Sequence, residues 1–231
     1  MKTIGLIGGM SWESTAIYYR LMNERVKERL GGLHSAQVLL WSFDFDEIAA
    51  LQSTGDWKGA TERMIDAALR LKNAGAEALI ICTNTMHKMA DAVEEATKLP
   101  LLHIADATAV ATKAKKCKKV GLLATRFTME QDFYKGRLLD KHHIETVVPN
   151  DEERSAVHRI IYEELCRGII KEESKAQYLG IIQNLVCNGA EGIVLGCTEI
   201  GMLIKSEDVA VPIFDTTVLH AHAAVDFSLS R

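Results

Sequence analysis

The sequence predicts an α/β protein of two similar halves, each carrying a mainly parallel sheet covered by helices. Three observations lead there. Short apolar runs alternate with stretches of helical periodicity along the chain. Two segments 114 residues apart share nearly one pattern: Gly75-Ala76-Glu77-Ala78-Leu79-Ile80-Ile81-Cys82-Thr83-Asn84-Thr85 and Gly189-Ala190-Glu191-Gly192-Ile193-Val194-Leu195-Gly196-Cys197-Thr198-Glu199. Two further pairs keep a similar offset. Ile4-Gly5-Leu6-Ile7 precedes Val120-Gly121-Leu122-Leu123 by 116 residues, and Leu99-Pro100-Leu101 precedes Val211-Pro212-Ile213 by 112. So steady a spacing points to duplication.

The elements follow from pattern. Residues 3–7 form an apolar run of strand length, and 14–30 carry apolar residues at helical spacing. Ser11 or Ser14 can cap that helix, with Glu13 favouring its positive end. A strand is expected over 37–42, a helix over 57–73 closed by Gly75, a strand over 78–81 and a helix over 86–97. Pro100 leads a short strand at 101–103, and 105–115 is helical. The order then restarts: strand 119–123, helix 128–140, strand 146–148, helices 152–168 and 175–188, strand 192–195, strand 211–214 and a last helix over 217–229. The halves divide as 1–113 and 114–231, with the last helix, about 216–231, able to pack back on the first half.

Composition narrows the function. With 25% charged and 48% hydrophobic residues the chain has the make-up of a soluble globular protein, and 231 residues are ample for a buried core. A net charge of −4 without a long basic run argues against a nucleic-acid partner. No apolar stretch approaches the roughly 20 residues that cross a bilayer, and Met1-Lys2-Thr3-Ile4-Gly5-Leu6 runs into Gly8-Gly9 too soon to read as a signal peptide. Five scattered cysteines suit reduced thiols in a cytoplasm better than a disulfide framework. No Cys-x-x-Cys pair appears, and His220 and His222 would point to different sides of a helix, so no metal site is signalled.

In open parallel sheets ligands bind beyond the carboxyl ends of the strands. Four loops lie at such ends: Gly8-Gly9-Met10-Ser11, Thr83-Asn84-Thr85, Ala124-Thr125-Arg126 and Gly196-Cys197-Thr198-Glu199. Cys197 follows a buried strand, where backbone N–H groups of a following helix would lower its pKa and supply a thiolate base. Thr83 occupies the matching place, with a hydroxyl that is a poor base unless activated. Cys82, its strand neighbour, should face away into the core. Asn84, Thr85 and Thr198 offer donors for a carboxylate, and Met10, Gln52 and Thr125 complete the candidate binding residues. Gly8-Gly9 allows close approach of a ligand to the backbone but is an incomplete dinucleotide fingerprint. His87, in the first turn after Thr83, can position or activate a neighbour. Arg126 and Gln52 are read as loop residues able to orient a carboxylate. Cys117, among lysines, reads as part of a solvated linker, and Cys166 and Cys187 as helical core positions.

Thr83-Asn84-Thr85-Met86-His87 resembles the Cys-Asn-Thr-x-His motif of the aspartate/glutamate racemase family, and Gly196-Cys197-Thr198-Glu199 resembles its Gly-Cys-Thr-Glu motif. The opening Ile7-Gly8-Gly9-Met10-Ser11-Trp12-Glu13-Ser14-Thr15 is similar to the aspartate racemase branch. The resemblance implies two pseudosymmetric domains with the active site in the cleft between them, a homodimer, and racemisation of an amino acid, a small-molecule substrate, without pyridoxal phosphate or metal. It makes Cys197 one of two catalytic residues. The family's other cysteine falls on Thr83. That departure predicts a racemase much faster from one enantiomer, because only the Cys197 side has a good base. Aspartate or glutamate is the implied substrate, and the neutral Gln52 leaves room for uncharged amino acids. A related decarboxylase or cis–trans isomerase, or a small-molecule binding protein with weakened catalysis, are the alternatives.

Overall fold

The computed structural model describes residues 1–230. It forms two compact units, Met1–Ile104 with the segment from His220 onward, and Ala105–Leu219. In chain order the elements are β1 (Ile4–Gly8), α1 (Trp12–Leu30), β2 (Val38–Ser42), α2 (Phe45–Thr54), α3 (Trp57–Asn73), β3 (Ala78–Ile81), a 3-10 turn (Thr85–Met89), α4 (Ala90–Thr97) and α5 (Ile104–Ala114). Then follow β4 (Lys119–Ala124), α6 (Arg126–Glu130), α7 (Asp132–His142), β5 (Glu145–Val147), α8 (Asp151–Glu163), a 3-10 turn (Leu165–Arg167) and α9 (Glu172–Cys187). The last are β6 (Ile193–Gly196), α10 (Ile200–Leu203), a 3-10 turn (Ser206–Asp208), β7 (Ile213–Asp215) and α11 (Thr216–Ser228).

In the first unit the strand order is β2-β1-β3, with an isolated parallel bridge from Leu79 to Leu101 where a short strand was expected. In the second it is β5-β4-β6-β7. Every pairing is parallel, and the earliest strand of each unit lies inside its sheet. The two sheets thus repeat one topology, as the duplicated segments require.

Side-chain alternation along β1 decides which helices cover it. Ile7, Leu79 and Ile81 face a cluster with Met64, Ala67, Ala68 and Leu71 of α3 and Val93 of α4. Ile4, Leu6, Ile80 and Cys82 face Tyr18, Met22 and Val26 of α1 together with Ala221, Ala224 and Val225 of α11. Close packing fixes the repeated glycines. A Cβ at Gly5 would lie 2.8 Å from Leu79 and 3.0 Å from Ala76, and one at Gly121 would lie 2.8 Å from Ile193 and 3.0 Å from Leu185.

Several boundaries differ from expectation for local reasons. Residues 45–54 form α2, which the pattern did not announce. Asp44 caps it through the Asp46 N–H, and Gly55 ends it in the left-handed region. The helix expected over 86–97 begins as a 3-10 turn and becomes α-helical only at Ala90. The helix expected over 128–140 is two, broken where Gln131 is extended. Residue 231, the end of the expected last helix, lies outside the described residues. The cysteines also depart from their readings. Cys117 is buried, its sulfur 3.5 Å from the Glu191 carbonyl rather than in a solvated linker. Cys187 is exposed, and Cys166 is half-buried on a 3-10 turn.

Candidate active site

In the first unit, pairing of Ile7 with Ile81 brings the ends of β1 and β3 to one level, joined by the Cys82 N–H to the Ile7 carbonyl at 2.9 Å. The loop after β1 turns sharply at Gly9, whose φ is 81° and whose absent Cβ would lie 2.4 Å from the Phe43 backbone. Its N–H donates to Thr15 Oγ1 at 2.8 Å, and Ser11 caps α1 by accepting from the Ser14 N–H. Met10 is buried in the same cluster as Ile48 and Met64. Gln52 lies on α2, not in a loop. It is buried, and its amide donates to Met86 Sδ at 3.2 Å.

Beyond β3, Cys82 is fully buried, and burial holds its thiol far above the ordinary range, as befits a core residue. Thr83 is half-buried, and Asn84 and Thr85 are buried. The tight turn pairs the His87 N–H with the Asn84 carbonyl at 3.1 Å. His87, also buried, places Nδ1 2.8 Å from the Thr83 carbonyl and receives the Ile104 N–H on Nε2 at 3.2 Å. Its ring lies 4.6 Å from that of His103 and 5.4 Å from that of His220.

In the second unit, Ala124 of β4 pairs with Gly196 of β6, so Thr125 and Cys197 leave the sheet at the same level. Thr125 is buried, and its hydroxyl lies 3.3 Å from that of Thr128. Arg126 starts α6 and pairs with Glu130 at 2.7 Å on the surface, so it is not in a loop. Thr198 and Glu199 are buried.

The Cys197 thiol donates to Glu199 Oε2 at 3.0 Å. Burial of the thiol, then the Glu199 charge and then Cys166 hold its pKa well above the ordinary value, although the residue as a whole is only half-buried. The expected lowering is therefore not found. α10 is a single turn starting at Ile200, and the Glu199 backbone N–H, which favours the thiolate, is outweighed by the carboxylate beside the sulfur. Tyr162 of α8 and Tyr178 of α9 are near enough that Cys197 raises their hydroxyl pKa values, after burial. In the sequence Glu199 stands only as the last residue of the Gly196-Cys197-Thr198-Glu199 loop. The Cys-x-Glu spacing was the available signal for its contact with the thiol. No sequence pattern pointed to Tyr162.

Among the described residues no group of three or more His, Cys, Asp or Glu is placed to hold a metal ion, and no helix is long and apolar enough to cross a membrane.

Residues 7–224 match the family model described as Asp/Glu/Hydantoin racemase. The chain belongs to the Asp/Glu/hydantoin racemase family. A crystal structure from Yersinia pestis, described as that of a putative Asp/Glu racemase, is 57% identical, with a TM-score of 0.94 and all of both chains covered. An aspartate racemase homologue from Pyrococcus horikoshii OT3 is 36% identical, with a TM-score of 0.87, again over the whole of both chains. The broad specificity amino-acid racemase RacX of Bacillus subtilis (strain 168) is 25% identical over 171 residues, 72% of this chain and 71% of that one. As a member of this family the protein is an enzyme of the isomerase class, a racemase.

Proposed function

We propose that the protein racemises an amino acid without a cofactor, using Cys197 on one face of the α-carbon and Thr83 on the other. One observation carries the reading: Thr83 and Cys197 stand at the carboxyl ends of equivalent strands, β3 and β6, in two units of like topology. Substrate is recognised as a carboxylate by donors from Asn84, Thr85, Thr125 and Thr198, which also stabilise the enediolate that forms when the α-proton leaves. Gln52 and Met10 add to the binding residues, and the substrate is aspartate, glutamate or one of a wider set of amino acids. The working form is a cytoplasmic homodimer.

The Cys197–Glu199 contact supplies the base. The resting sulfur is protonated, so it acts only after its proton passes to Glu199 Oε2, 3.0 Å away. The thiolate then takes the α-proton and becomes a thiol again. The Thr83 hydroxyl gives its proton to the opposite face of the carbanion, and water restores it. Glu199 returns its proton to solvent. In the reverse direction a threonine hydroxyl would have to abstract the α-proton, for which it has no base of comparable strength. Deprotonation, and with it α-proton exchange, is therefore fast from one enantiomer only, while the interconversion itself, with an equilibrium constant of 1, is held back in both directions by the Thr83 step.

The test follows α-proton exchange in deuterated water for both enantiomers of aspartate, glutamate and a panel of uncharged amino acids. One enantiomer exchanges much faster, and Thr83→Cys raises the rate from the slow one. Equal exchange from both enantiomers of the substrate in the unaltered protein would sink the reading.

A further inference from the structure

We propose that His87 is a positioning residue for Thr83, setting the direction of its hydroxyl through the peptide that bears it. The inference rests on the reading of Thr83 as the proton donor of the second face. In an α-helix the Thr83 carbonyl would accept the backbone N–H four residues on. Here that N–H, of His87, is taken by Asn84 in the 3-10 turn. The imidazole of the same residue supplies the missing donor, Nδ1 lying 2.8 Å from the Thr83 oxygen.

The second contact fixes the ring's chemical form. Nε2 faces the Ile104 N–H at 3.2 Å, so it is the unprotonated nitrogen, and Nδ1 carries the hydrogen that reaches the carbonyl. Both nitrogens are engaged with backbone, so His87 is a neutral strut and not an acid or base of the reaction. Neighbouring rings hold it from the side. His103 lies at 4.6 Å, and His220 at 5.4 Å is itself tied by Nε2–H to the Leu102 carbonyl at 2.6 Å and by Nδ1 to the Tyr18 hydroxyl at 2.8 Å. The Thr83 peptide is thereby anchored, through one side chain, to the backbone at Ile104. A catalytic group held this way loses its alignment when the strut is removed, while Cys197, which belongs to the other unit, does not.

Three variants read the two faces separately, using the enantiomer that exchanges faster. Deuterium incorporation with unchanged configuration reports Cys197, and inversion reports delivery from Thr83. Thr83→Ala sets the reference by losing inversion and keeping incorporation. His87→Phe keeps a ring but neither contact. It is expected to lower inversion by about 10-fold or more, with incorporation and KM within about 2-fold. His87→Gln, whose amide offers one donor and one acceptor, is expected to recover most of the inversion. If His87→Phe does not fold, His87→Asn, which is polar but too short for both contacts, is read the same way. Because the readout is a ratio within one sample, a smaller folded fraction does not mimic it. Parallel loss of inversion and incorporation, or no change in either, would overturn the positioning role alone. Retained inversion in Thr83→Ala would overturn the proton-donor reading and this inference with it.

Discussion

A cysteine beside a carboxylate is an unusual base, since the negative neighbour favours the thiol. Burial and Glu199 both push the Cys197 proton onto sulfur. The same Glu199 lies within reach at 3.0 Å, so in the proposed reaction it both suppresses the free thiolate and receives the proton when substrate binds. Glu199→Gln separates these effects. The thiol pKa falls because a charge is removed, yet incorporation of deuterium at neutral pH drops by about 100-fold because the proton acceptor is lost. An unchanged rate would show that the proton leaves by another route. At this scale the sequence singles out positions and says little about their state. Cys197 and Thr83 could be picked out by their place in a repeat. The protonation of one and the anchoring of the other depend on Glu199 and His87 contacts that only the folded turns create.

At the scale of elements, the matched glycines Gly5 and Gly121 mark where a covering helix lies tight on the first strand of each sheet. Leu71 of α3 crowds the first site at 3.3 Å, and Leu185 of α9 the second at 3.0 Å. Gly5→Ala and Gly121→Ala are expected to destabilise by about 1–3 kcal/mol each, through overpacking. Urea unfolding measures this, and a neutral effect at both sites would mean that the helices yield easily. These glycines belong to the segments that revealed the repeat, so the strand cores were legible from sequence. α2 was not, although its signals were present: Asp44 as cap, Phe45, Ile48 and Leu51 at three-residue spacing, and Gly55 as stop. Ten residues give too short a run for periodicity to outweigh a loop reading. The 3-10 turn after β3 was illegible for a different reason. Its geometry depends on a side-chain donor, His87, that replaces a helical backbone contact.

For the whole molecule, several buried acids are kept neutral by the fold. Burial, the largest effect in each case, raises the pKa of Cys82, Tyr134, Tyr162, Tyr178 and Cys197. In the unfolded chain these groups ionise from about pH 9 upward, while the native state holds their protons to higher pH. The folded form thus binds more protons there. Its advantage is complete below about pH 9 and declines as pH rises toward the native values. Melting temperature is expected to fall steadily above about pH 9 in calorimetry. A flat profile to pH 11 would mean that these groups are solvated in the native state. The protonated sulfur of Cys197 has one more effect. Peroxides oxidise thiolates far faster than thiols. If Cys197 is the base proposed above, a resting enzyme that keeps this sulfur as a thiol is sheltered from oxidative damage. Exposure begins with turnover, so inactivation by hydrogen peroxide should quicken when substrate is present.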